Sequence, residues 1–145
     1  MNLAEKARAI TNDRNQKIQI VIQEIVNYFK EYLNGNKFEQ LIEREISDPM
    51  RQKNGYGIIS LNSGYAHIKG DEEKQIITLE GKNWICPDNF FKTNGFSFSD
   101  IEKEVCWHLN GIAKDKLREM GFAAEQYDPM AESWQSTYYW IKFTW

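Results

Sequence analysis

The chain is poor in cysteine, histidine and proline, has no long apolar run and carries almost no excess of charge. Two cysteines and two histidines in 145 residues leave little material for a disulfide framework or a tetrahedral metal site. The longest apolar stretches are a few residues, far short of the roughly 20 that cross a bilayer, so no membrane partner is expected. Lys and Arg number 18 against 21 Asp and Glu, a net charge of −3, which argues against coating duplex DNA by electrostatics. The composition excludes collagen-like, mucin-like and wholly disordered chains, and no internal repeat is visible. The start, Met1 to Arg8, lacks the apolar segment of a secretory signal. A domain of this size needs no disulfide staple, so a cytoplasmic protein is expected, with Cys86 and Cys106 as ordinary semi-buried thiols.

What is present is an apolar fraction of 41% and an aromatic fraction of 14%, enough for one globular domain. Leu3, Ala7 and Ile10, then Ile18, Val21, Ile22, Ile25, Phe29 and Leu33, recur at helical spacing and share one side of the wheel. The polar stretch 12–17 interrupts the stripe, which implies one long helix crossing solvent or two helices meeting at a kink. Asn34-Gly35-Asn36 suits a left-handed helix end. A second helix follows from about Lys37 to Ile46, stopped by Ser47-Asp48-Pro49, and Met50 to Gly55 reads as a loop.

The period then changes to two. Tyr56–Leu61, Tyr65–Lys69 and Gln75–Glu80 read as strands separated by turns at Asn62-Ser63-Gly64 and Gly70 to Glu73, with Asn83–Cys86 a short fourth. Pro87 to Phe98 is irregular. Ser99-Asp100-Ile101-Glu102 has capping-box spacing for a helix that Gly121 closes. Gly111 within that helix costs about 1 kcal/mol relative to Ala, which suggests close packing there. Ser136–Trp145 reads as a final aromatic-rich strand. The fold class expected is α+β, in the order ααβββαβ: two N-terminal helices, an antiparallel sheet of three to five strands, a C-terminal helix and the last strand. Residues 1–33 form a helical self-association element and 34–145 a single α+β domain.

Chemical motifs are sparse. Cys106 and His108, two apart on a helix, diverge by about 160° and cannot share an ion, so no metal and no cofactor is expected. A Cys–His hydrolase would use Cys86, displayed before Pro87-Asp88, with His67 or His108 as base and Asp88 or Asp71 orienting it. The paired carboxylates Glu43/Glu45, Asp71 to Glu73 and Glu102/Glu104 read as solvated charge. Gly55-Tyr56-Gly57 lacks the third glycine and following helix of a dinucleotide fingerprint.

The aromatics say more. Trp107 projects about 170° from the middle of its helix's apolar stripe. It therefore needs cover from the loop at Asn83 to Phe98, from a second subunit or from a ligand. The last strand carries aromatics on both faces, which places it centrally in a sheet or against a partner. Trp84, Trp107, Tyr138 and Trp140 are the candidate stacking or interface anchors. Lys82, Lys92 and Arg51, read as loop residues, are the candidate phosphate contacts. The stripe beginning at Leu3 lies beyond the domain and packs against the same helix of a second copy; the alternative is that it folds back on its own sheet.

Leu3-Ala4-Glu5-Lys6-Ala7-Arg8, Leu117-Arg118-Glu119-Met120-Gly121-Phe122 and the terminal Tyr139-Trp140-Ile141-Lys142-Phe143-Thr144-Trp145 together give a layout that resembles small accessory proteins encoded by bacteriophages of Gram-positive hosts. Some of these antagonise host defences as inhibitors or as sponges for signalling ligands. The resemblance implies a non-catalytic, phage-encoded, anti-defence binding protein that sequesters a small nucleotide-like ligand or occupies a host protein. It assigns no residue a role. The alternatives are the Cys–His hydrolase and a structural or virion component.

Overall fold

Asn2 opens the first helix by accepting the N–H of Glu5 at 2.8 Å, an N-cap that satisfies one of the orphan donors of the first turn. In the computed structural model, which describes residues 2–60, 62, 63, 66–79, 81–126 and 140–145, helix α1 runs unbroken over Leu3–Phe29. It crosses the polar stretch as one rod. Its inner half buries Ile18, Ile22, Ile25, Val26 and Phe29, whereas residues 2–13 are all exposed. The stripe from Leu3 to Ile10 thus lies beyond the body of the domain.

Helix α2 (Glu31–Asn34) passes to α3 (Asn36–Ile46) through Gly35, which is extended (φ −98°, ψ 172°) rather than left-handed. One residue separates the helices, so Gly35 serves as the N-cap of the second, a position that requires extended backbone. The segment read as a loop is a short helix, α4 (Pro49–Asn54). Asp48 accepts the Met50 N–H at 2.9 Å, Pro49 presets the first turn, and left-handed Gly55 (φ 73°) ends it.

Strand β1 (Tyr56–Ser60) is followed by β2 (Asn62–Ser63), β3 (Ala66–Asp71), β4 (Ile76–Leu79) and β5 (Lys82–Ile85). Asn62 and Ser63, read as turn residues, pair with His67 and Ala66. A 3-10 turn at Pro87–Asn89 and helix α5 (Phe90–Thr93) structure the segment expected to be irregular. Helix α6 (Phe98–Glu119) has its N-cap at Ser97, two residues before the Ser99 that the expected capping box would use. Strand β6 (Ala123–Gln126), unforeseen because Ala and Gln are weak strand formers, precedes β7 (Trp140–Thr144). The class is α+β, with two antiparallel sheets where one was expected: β1-β7-β6 and the meander β2-β3-β4-β5. The last strand takes the central place in its sheet, pairing Ile59 with Ile141 on one side and Ala124 with Phe143 on the other. That position suits a strand with apolar residues on both faces.

A single core joins Ile22, Phe29 and Phe38 of the N-terminal helices to Ile59, Ile68, Ile77, Ile141 and Phe143 of the sheets and to Ile101, Val105 and Leu109 of α6. Two carboxylates read as solvated close strand edges instead. Glu45 accepts the Ile58 N–H at 3.2 Å, and Glu102 accepts the Gly70 N–H at 2.9 Å. Each N–H belongs to a strand stretch with a neighbour on one side among the described residues, where an unpaired donor is otherwise open to foreign strands. Both crossings are tight at a glycine. A Cβ at Gly57 would lie 2.6 Å from the Phe143 ring, and one at Gly70 would lie 2.9 Å from the Glu102 carboxylate.

Candidate functional site

Among the described residues, two clefts of comparable size and opposite charge open on the surface. The first, about 300 Å³, lies where α2 and α3 meet β4 and β5. Its lining includes Glu31, Tyr32, Lys37 and Lys82, over a floor of Phe29 and Leu79. The chain reverses at Asn34-Gly35-Asn36, and this brings Lys37 round to the strand carrying Lys82. The Lys82 ammonium sits 3.2 Å from the Glu31 carboxylate and 4.3 Å from the centre of the Tyr28 ring, and donates to the Tyr28 carbonyl at 3.1 Å. Tyr28 in turn donates its hydroxyl to the Asn83 carbonyl at 2.8 Å, so this wall is fixed by a chain of contacts from α1 to β5. Two ammonium groups face one carboxylate.

The second cleft, about 410 Å³, is lined by Asp100, Lys103, Glu104 and Trp107 on one face of α6, together with Phe96. Here two carboxylates face one ammonium. Trp107 is 43% exposed and meets His108 edge-on at 4.8 Å; Glu104 lies 3.8 Å from His108 Nε2. Of the preceding loop expected to cover it, Phe96 shares the cleft lining with Trp107. That loop is held to α1 by Arg14, which donates to the carbonyls of Asn94 (2.6 Å) and Gly95 (3.1 Å).

The remaining candidates do not converge on either cleft. Lys92 is exposed on α5 beside Gln75 and Phe98, at a small hollow of about 130 Å³ that shares Phe96 with the α6 cleft. Trp84 is half-buried on β5, its ring 6.0 Å from that of Phe91, and packs against the core. Arg51 is committed to Glu45 at 2.7 Å and lies 5.9 Å from the Tyr56 ring. None of the three cations lies in a loop: Lys82 is on β5, Lys92 on α5 and Arg51 on α4. Trp140 pairs with Ser60 through the backbone of β7, while its side chain and Tyr138 lie outside the described residues. Tyr32 and Lys37 were not foreseen. The signal available was the Asn34-Gly35-Asn36 reversal, which folds the residues on either side of it together.

Of the two thiols, Cys86 belongs to the core, its Sγ 3.8 Å from the Pro87 carbonyl oxygen. Cys106 is fully buried, and its thiol is pushed up to about 12 by desolvation, with the Glu102 carboxylate adding to the effect. His108 lies apart from it, half-exposed and beside Glu104. Among the described residues no group of three or more His, Cys, Asp or Glu is placed to hold a metal ion, and no helix is long and apolar enough to cross a membrane. The His67 side chain lies outside the described residues. Compared with known proteins, the chain matches no family model, no curated protein and no solved structure.

Proposed function

We infer that the protein is a non-catalytic binding protein whose cleft between α2–α3 and β4–β5 holds a small anionic aromatic ligand of the nucleotide class. The observation that carries this reading is the meeting of Lys37, Lys82 and Tyr32 around one cleft of about 300 Å³. Two ammonium groups against Glu31 suit a phosphate, and an aromatic ring offers a stacking surface to a base. The volume sits at the lower end of ligand pockets, about 300–1,000 Å³. Helix α3 starts at this rim with no side-chain cap, so its positive end adds to the same sign of charge. Sequestration rather than hydrolysis is supported by the thiols: burial holds Cys106 protonated and Cys86 lies in the core. In this reading the protein works in the cytoplasm of a phage-infected cell, as a sponge of the kind its chain ends resemble.

Calorimetric titration with adenosine and guanosine mono- and triphosphates, and with inorganic phosphate as control, tests the reading. Saturable binding of at least one nucleotide is expected, weakened about tenfold or more when Lys37 and Lys82 are both replaced by Ala and unchanged by Trp107→Ala. Absence of binding across the set overturns the nucleotide class. Loss of binding on Trp107→Ala overturns the assignment to this cleft.

A further inference from the structure

The outer half of α1 and the α6 cleft are both unfilled, and they are complementary. Residues 2–13 of α1 are exposed, with Leu3 at 82% and Ile10 at 70%. Leu3, Lys6, Ala7 and Ile10 follow the i, i+3, i+4, i+7 spacing that puts side chains on one helical face. The same spacing on α6 sets Asp100, Lys103, Glu104 and Trp107 along the cleft. Residues 2–13 are neutral as a whole, Lys6 and Arg8 against Glu5 and Asp13, but the one charge on the face of Leu3, Lys6, Ala7 and Ile10 is the Lys6 ammonium. The described lining of the cleft, with two carboxylates and one ammonium, is opposite in sign to that face.

We propose that the outer half of α1 docks in the α6 cleft of a second copy of this chain, each protomer giving its arm and receiving its partner's. Docked antiparallel, the arm brings Leu3 to Trp107, Lys6 to Glu104 and Ile10 toward Phe96. A large half-exposed tryptophan flanked by charge is the usual anchor of such a contact. Reciprocal exchange closes on a two-fold axis and forms the contact twice in one assembly. The arm from Leu3 to Arg14 extends about 18 Å at 1.5 Å per residue, long enough to span the four α6 positions.

Two other mates for the arm fit less well. Arm against arm offers Leu3, Ala7 and Ile10 alone, about two helical turns where a stable coiled coil needs three to four heptads, and it leaves Lys6 of each copy without a carboxylate on the facing stripe. The arm's own cleft is not its mate, because no α1 residue is among the described lining and Leu3 and Ile10 stand in solvent.

Sedimentation velocity on the full chain tests the exchange. The wild type is expected to be a dimer whose affinity falls with salt. Ile10→Asp and Trp107→Ala are each expected to weaken it about tenfold or more, with unchanged circular dichroism, since both side chains lie outside the core. Mixing those two variants restores part of the association, because one intact arm then meets one intact cleft. Lys6→Glu weakens the dimer, and adding Glu104→Lys restores it. A wild type that stays monomeric at the highest attainable concentration overturns the proposal. So does a dimer that survives Trp107→Ala, the result for arm-to-arm pairing, or one that survives Ile10→Asp, the result for an interface elsewhere.

Discussion

Helices α1 and α6 are the two long helices among the described residues, and they are used differently. Helix α6 buries side chains along its whole length, from Phe98 through Ile101, Val105, Leu109 and Ala113 to Leu117. Helix α1 buries none before Ile18. Yet Leu3, Ala7 and Ile10 recur with the same period as Ile18, Ile22 and Ile25. Periodicity therefore identifies the face a helix would bury and says nothing about whether anything is there to cover it. The boundary is marked by the polar residues 12–17, the stretch over which the helix leaves the body.

The largest expected effects test that division directly. Ile22→Ala in the inner half of α1, or Leu109→Ala in α6, empties a fully buried site and should lower stability by about 2–5 kcal/mol. Ile10→Ala should change it by less than about 0.5 kcal/mol. Urea unfolding of the three variants, at a concentration low enough to hold the chain monomeric, makes the measurement. A loss at Ile10 comparable to that at Ile22 would mean that the outer half of α1 belongs to the core after all.

How far the fold was legible follows the same logic of local against distant contacts. Elements with a strong period of their own, α1, α3, the strands around Ile59, Ile68 and Ile77, and α6, stand out in the sequence within a few residues of their ends. Helix α4 was hidden because it buries nothing, although Asp48, Pro49 and Gly55 hold the N-cap, first-turn and closing positions of a short helix. Strand β6 has no strand-forming composition and exists because β7 pairs with it. Glu45 and Glu102 look like surface charge until the strand edges they close are brought to them. The candidate sites divide likewise. The exposure of Trp107 could be read from its angle on one helix, whereas Tyr32, Lys37 and Lys82 meet across three elements, and no spacing within a single sequence announces such a meeting.

A smaller effect concerns what burial does along α6. The Cys106 thiol is pushed from 9.0 to about 12, so the folded chain keeps a proton that the unfolded chain releases above pH 9. Its contribution is fully present below pH 9 and is lost as pH rises from there toward 12. Relative to Cys106→Ala, the wild type should lose about 1.4 kcal/mol of stability on going from pH 8 to pH 10. Unfolding titrations of both proteins at the two pH values read the difference directly. Parallel losses would mean that Cys106 is reached by solvent in the folded state.

The smallest effect sharpens the comparison most, because it separates the buried and open faces of α6 at a single residue. Gly111 lies one turn beyond Trp107, and its presence mid-helix suggested a backbone in close contact with something. A Cβ built there meets nothing within 4 Å, so the fold of one chain does not require glycine at this position. Gly111→Ala should then raise the stability of the monomer by about 0.5–1 kcal/mol through helix propensity alone, a melting temperature higher by about 1–4 °C for a chain of this size. In the register that sets Leu3 against Trp107, Gly111 lies a turn beyond the residues that meet the arm, so the same variant should stabilise the monomer and leave the dimer unchanged. Melting curves at low concentration and sedimentation at high concentration would show a shift in the first and none in the second. A variant that melts lower as a monomer would mean that Gly111 faces a neighbour within its own chain.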